Sequence, residues 1–317
     1  MGDLRALGRT LFARPYLLLT LTTLIWGGNA VAGRMAVGEL SPMVLVSLRW
    51  VIVVAVLAVT ARGQILAEWP LLRRHWPRIV VMATFGFTVF NALFYVAAQT
   101  TTAINIGMIQ GIMPALVIWG SYLAYRTPIT LTQVLGVAVA LAGVVVTAAR
   151  GDLDVLRHLS FVVGDIWMGL ACLLYAGYSV SLRRRPPASP LALFAALAIA
   201  ALASSLPLLA YEIAAGRHLW PSPKGWAVLL FVAIFPSLVS QIFYMRGIEL
   251  IGPGRAGLFI NLVPIFAAIL AVLLLGETFA PYHAVALALV LAGIALAETG
   301  RPAQAVTSTP SGDADAR

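Results

Sequence analysis

The sequence predicts an all-α integral membrane protein with ten transmembrane helices, arranged as two inverted-topology five-helix repeats. Three observations carry that expectation. The 317 residues are 61% apolar and only 10% charged, whereas a soluble domain is about 25% charged. The apolar runs are long enough to cross the ~30 Å hydrocarbon core as helices, the form that satisfies the backbone internally. The second half also echoes the first, in order, at an offset near 150 residues.

The expected spans, in chain order, are 16–37, 41–61, 79–98, 103–124, 130–149, 162–182, 190–212, 226–245, 255–275 and 280–297. Pro42, Pro128, Pro187, Gly225 and Gly254 punctuate the connections between them. Residues 1–15 form an N-terminal tail, and the polar stretch 299–317 reads as a disordered one. Ala30-Val31-Ala32 imitates a signal-peptidase site. The apolar run continues beyond it to Val37, so 16–37 is expected to stay as the first span.

The net charge of +9 comes from 20 arginines and one lysine. In a soluble chain this excess would suggest nucleic acid. Here the arginines lie mostly between apolar runs, where they set topology, and no nucleic-acid partner is expected. With the N-terminus in the cytoplasm, fifteen Arg or Lys fall on the cytoplasmic side and five on the other. Both termini are therefore expected inside, and a bacterial inner membrane is the expected location. Segment 62–78, with Trp69, His75 and Trp76, is expected at the cytoplasmic interface. Cys172 is alone, and the four histidines are scattered, so no disulfide, metal site, cofactor or catalytic set is expected.

At an offset of 149, Leu24, Gly28, Val31 and Arg34 meet Leu173, Gly177, Val180 and Arg183, and Phe94-Tyr95 meets Phe243-Tyr244. At 150, Gly107 meets Gly257, Pro114 meets Pro264, and Leu141-Ala142-Gly143 meets Leu291-Ala292-Gly293. Residues 16–150 and 151–298 thus form the two repeats. Each has five spans, an odd number, so the second enters the membrane inverted. Inverted repeats suit alternating access in a carrier.

The stretches IWGGNAVAGRMAVGELSPMVLVSLRW (25–50), NALFYVAAQTTTAINIGMIQGIMPALV (91–117) and INLVPIFAAILAVLLLGE (260–277) resemble the bacterial drug/metabolite transporter superfamily, EamA type. The resemblance covers residues 16–297, and the last stretch is the most specific. It implies a ten-helix inner-membrane exporter of small metabolites, not an enzyme. Spans one to four and six to nine would surround the cavity, with five and ten outside. The layout looks most similar to the branch exporting aromatic amino acids. Other classes in the superfamily (nucleobases, sugars, cations) are the alternative. Family first halves often end span four with Glu, where Arg126 stands here. A monomer or weak dimer in the lipid bilayer is expected.

A carrier cavity needs a few convergent polar groups, each costly in lipid. Trp26 and Asn29 share a helix face in span one. Tyr175 and Tyr178 occupy the matching part of span six. Asn91, Tyr95 and Gln99 form a polar stripe in span three, and Ser240, Gln241 and Tyr244 another in span eight. Asn105, Met108, Gln110 and Met113 precede Pro114, and Asn261 precedes Pro264. Arg49 lies at mid-membrane, where it could meet a substrate carboxylate or a structural acid. Gly28, Pro114 and Pro264 are expected at hinges. Arg34 is expected either to pair with Glu39 or to stand at the outer mouth. Glu277 is expected to favour the N-terminus of span ten, and Glu249 to pair with Arg246.

Overall fold

The computed structural model describes residues 12–152, 154, 161–251, 256 and 259–299. The ends of both expected tails and Gly257 lie outside them. The described chain is helical throughout. Eight helices are long and apolar enough to cross a membrane. They are α1 (Pro15–Met35), α2 (Pro42–Thr60), α4 (Trp76–Ala97), α5 (Ala103–Tyr125), α6 (Leu131–Ala148), α7 (Val163–Arg184), α8 (Pro190–Ala214) and α9 (Pro223–Ile251). Expected spans nine and ten are the shorter apolar helices α10 (Phe259–Leu275) and α11 (Pro281–Ala297). Between α2 and α4 runs α3 (Arg62–Arg74), which carries the basic segment as an amphipathic helix.

The helix starts follow local chemistry. Proline at the first turn opens α1, α2, α8 and α9, where its missing N–H costs nothing. Thr102, Ser189 and Ser222 cap α5, α8 and α9 by accepting from Asn105, Ala192 and Gly225 amides. Thr130 and Gln133 cap each other's backbone at the start of α6.

Besides α7, which ends in a 3-10 turn at Leu182–Arg184, four helices depart from straight α geometry. A π-helical turn interrupts α4 at Thr84–Val89, and another interrupts α9 at Phe235–Val239. Regular α hydrogen bonding in α5 breaks after Gln110 and resumes at Met113; α10 begins with a tight 3-10 turn, Phe259–Leu262, and resumes at Val263. Pro114 and Pro264 sit just inside the resumed helices, which end at Arg126 and Gly276, both left-handed. The breaks pack on each other. A methyl group at Gly107 would lie 2.4 Å from Ala267 Cβ, and one at Gly111 would come within 3.4 Å of Pro264.

Helices α6 and α11 pair tightly, away from the centre. Methyl groups at Gly136 or Gly293 would meet facing backbone atoms at 2.5 and 2.4 Å. Small residues allow this approach where lipid offers no hydrophobic drive. At α1 the close approach belongs to Gly27, whose added methyl would stand 2.8 Å from Ala267 N. At Gly28, expected to be a hinge, the nearest atom is an ordinary 3.5 Å away.

Loop contacts sort into two sets. Ser41 donates to Glu212 at 2.5 Å, Lys224 pairs with Glu39 at 3.2 Å, and Ala103 N donates to Glu277 at 2.8 Å. These residues lie at or after the ends of α1, α4, α8 or α10, or begin the helices after them. The other set joins Gln64 to Ser189 (3.1 Å), Arg78 to Arg184 O (2.9 Å) and Arg183 to Thr127 (3.2 Å).

Two charge expectations are corrected here. Glu39 bonds Ser222 and Lys224 rather than Arg34, because the loop before α9 folds onto it. The Ser222 hydroxyl, then the Lys224 ammonium, hold the Glu39 carboxyl below its ordinary pKa. Arg34 instead donates to Ala98 O at 2.6 Å. Glu277 does not serve α11. Its two oxygens accept from Ala103 N and Ile104 N at 2.8 and 3.0 Å, capping α5. Glu249 pairs with Arg246 at 3.0 Å.

Candidate functional site

A cavity of about 100 Å³ lies among α1, α2, α4, α5, α7, α9 and α10. Trp26, Asn29, Arg49, Asn91, Gln110, Ser237 and Gln241 supply most of its polar groups. Trp50, Phe87, Phe90, Phe94 and Tyr175 supply its aromatic wall. Helices α6 and α11 do not reach it, and neither does α8.

Arg49 organises one side. It is buried, at 4% exposure, and four hydrogen bonds hold its guanidinium. Nε and Nη2 donate to Ser237 Oγ at 2.9 and 2.5 Å. Nη1 donates to Asn91 Oδ1 at 2.5 Å and to Tyr95 OH at 2.9 Å. Each acceptor is itself positioned. Ser237 donates to Val232 O at 2.5 Å, Asn91 Nδ2 to Phe87 O at 2.5 Å, and Tyr95 OH to Asn29 Oδ1 at 3.0 Å. Every one of these partners is neutral. The charge also lies 5.2 Å from the Trp50 ring centre, a cation–π contact.

The dipeptide Arg49-Trp50 reaches both π turns. Arg49 bonds Ser237 in the α9 turn, while Trp50 stacks on Phe87 in the α4 turn, 5.2 Å apart and 3° from parallel. A π turn adds a residue to the helical circuit, which rotates the following register by about 100°. That rotation puts Ser237 and Phe87 where an unbroken helix would not.

The aromatic wall continues through Phe90 and Tyr175, 4.9 Å between ring centres. On the opposite side Trp26 Nε1 donates to Ser240 Oγ at 2.8 Å, and its ring meets Tyr244 at 5.3 Å.

Of the residues expected at a binding site, Trp26, Asn29, Arg49, Asn91, Gln110, Met113, Tyr175 and Gln241 line this cavity. Others lie elsewhere. Tyr95 is one layer behind, 1% exposed, holding Arg49. Tyr178 stands behind Phe87 and packs over Gly86. Tyr244 backs Trp26. Gln99 lies exposed in the turn after α4, because that helix ends at Ala97. Met108 is fully buried in the helix core, as Gly107 draws α10 against that part of α5. Asn105 turns away toward Asp165, 3.4 Å from both carboxylate oxygens, and Thr101 also donates to that carboxylate. Asn261 sits in the 3-10 turn; its neighbours Ile260 and Val263 face the cavity. The unbroken 3.6 period misplaced these side chains, and it missed Trp50, Phe87, Phe90, Phe94, Pro236 and Ser237. Asn-Ala-Leu-Phe after a phenylalanine-rich run, 85–94, was the available signal for the aromatic wall.

Comparison with known proteins agrees with this architecture. The chain is 25% identical over 288 residues to the uncharacterized transporter YyaM of Bacillus subtilis (strain 168), covering 88% of this chain and 92% of that one. It is 24% identical to an uncharacterized transporter of Archaeoglobus fulgidus, covering 90% and 97%. A solved crystal structure, 22% identical, shares the fold with a TM-score of 0.62 over 89% of this chain and 96% of that one. The profile of the EamA-like transporter family matches twice, at residues 13–149 and at 162–299. The multi-spanning helical protein built around this cavity belongs to the EamA-like transporter family, whose members are carriers rather than enzymes.

Proposed function

We propose that this protein is an inner-membrane secondary exporter of amino acids, aromatic ones first. It works by alternating access between inverted repeats 16–150 and 151–298, with ten crossings and both termini cytoplasmic. The observation that carries the substrate reading is Arg49. A fixed cation, held by neutral groups beside an aromatic wall, is matched by a carboxylate on an aromatic body. A cationic substrate would meet repulsion there.

In this reading Trp26, Asn29, Arg49, Asn91, Tyr175 and Gln241 touch the substrate, and Tyr95 positions Arg49. The recurrence of elements supports the repeat. Met113–Tyr125 and Val263–Leu275 are spaced by 150 residues at both ends, and each repeat carries one π turn. The two faces of loop contacts support ten crossings. The interrupted stretches ahead of Pro114 and Pro264 serve as hinges, because their backbones lack continuous α bonding.

The test is counterflow of labelled phenylalanine and tryptophan in proteoliposomes. Wild type should exchange them, and Arg49→Gln should lower exchange at least ten-fold. Failure to move any amino acid would remove this substrate assignment.

A further inference from the structure

The substrate reading leaves a charge imbalance that no described acid of the lining offsets. A guanidinium has five N–H donors and stays protonated. Arg49 spends four of them on Ser237, Asn91 and Tyr95, so one Nη2 donor remains. Beside it, Trp50 lines the same cavity and is 3% exposed, and its Nε1 has no partner among the described residues. A buried indole N–H without a partner is costly. Both side chains line the same cavity, so two unspent donors and one positive charge lie in its wall. Both belong to adjacent residues, and Trp50 is held flat against Phe87.

The lining offers nothing comparable to a second cation. No described Asp or Glu lines the cavity. Glu39, Glu68, Asp165, Glu212, Glu249 and Glu277 are engaged elsewhere, with Lys224, Ser189, Thr101, Ser41, Arg246 and the start of α5. The amide oxygens of Asn29 and Asn91 are already taken by Tyr95 and Arg49. Gln110 and Gln241 remain as side-chain amides, and both are neutral.

We infer that the preferred substrate is an aromatic monocarboxylate without an ammonium group, its carboxylate set between Arg49 and the Trp50 indole N–H. Such an anion brings the occupied cavity to zero charge. A zwitterionic amino acid neutralises Arg49 and then leaves its ammonium without an anionic partner in a medium of low dielectric. The aromatic body lies along Phe87, Phe90 and Tyr175. This inference rests on the carboxylate reading above and ranks deaminated aromatic acids over the amino acids proposed there.

The experiment compares three probes on one skeleton: 3-phenylpropionate, phenylalanine and 2-phenylethylamine. Binding is measured by calorimetry on the purified full chain in lipid nanodiscs. Phenylpropionate should bind at least ten-fold more tightly than phenylalanine, and the amine should not bind measurably. Trp50→Phe keeps the ring stack and removes one donor. With an unchanged unfolding midpoint, it should weaken phenylpropionate about ten-fold. Phenylalanine binding equally or more tightly would overturn the inference and leave the carboxylate reading standing. Binding of the amine alone, or of none of the three, would overturn both. An unchanged phenylpropionate affinity in folded Trp50→Phe would remove the indole from the site.

Discussion

Arg49 shows what a single residue discloses before and after folding. Its presence inside an apolar run marks it as functional or paired, since an intramembrane charge costs several kcal/mol on insertion scales. Its partners could not be read. Asn91 lies 42 residues away and Ser237 lies 188 away, and only packing joins them. Ser237→Ala would strip the acceptor from Nε and Nη2 together. Thermal unfolding of the purified protein should then show a loss of about 1–3 kcal/mol. An unchanged midpoint would mean that cavity water serves the guanidinium as well as the hydroxyl does. Tyr95 teaches the same point. The sequence marked it as a cavity residue, whereas packing makes it the support of Arg49 from one layer behind.

At the scale of elements, apolar length and proline position foretold nearly every helix. Span boundaries follow from composition because a helix entering lipid must carry about 20 apolar residues whatever it packs against. Helix interruptions are different. The π turns at Thr84–Val89 and Phe235–Val239 share no proline or glycine signature, the first containing Gly86 and the second Pro236, and they shift the faces that follow. Close contact between helices also depends on which glycine faces which backbone. Gly27 and Gly28 look alike in sequence, but only at Gly27 would an added methyl group stand 2.8 Å from Ala267 N. Gly27→Ala should cost about 1–3 kcal/mol by forcing α1 from α10. Gly28→Ala should stay within about 0.5 kcal/mol or gain slightly from helix propensity. Unfolding midpoints of the two variants check this, and equal losses would contradict the packing.

At the scale of the whole molecule, two sets of loop contacts place Glu39, Glu212 and Glu277 on one face and Arg78, Arg184 and Glu68 on the other. Which face meets the cytoplasm is the expectation drawn from the arginine distribution, and labelling tests it. Cys172 is fully buried, so a cysteine added elsewhere can be labelled selectively. Arg217→Cys should react with a membrane-impermeant maleimide in intact cells. Gly63→Cys should react only after the membrane is opened. The reverse pattern would invert the topology.

The sequence by itself determined the class of this protein: its membrane setting, its apolar helices, the repetition that the family profile matches twice, and a short set of polar residues that includes Arg49, Trp26 and Tyr175. These are properties of local composition and period, which lipid enforces one helix at a time. Tertiary structure alone decided which polar groups converge. It joined Arg49 to Ser237 through a π turn, set Trp50 flat on Phe87, and withdrew Asn105, Met108 and Gln99 from the cavity. The reason is geometric. A side chain's direction depends on the register of its own turn and the approach of a distant helix, and neither is written in the residues beside it.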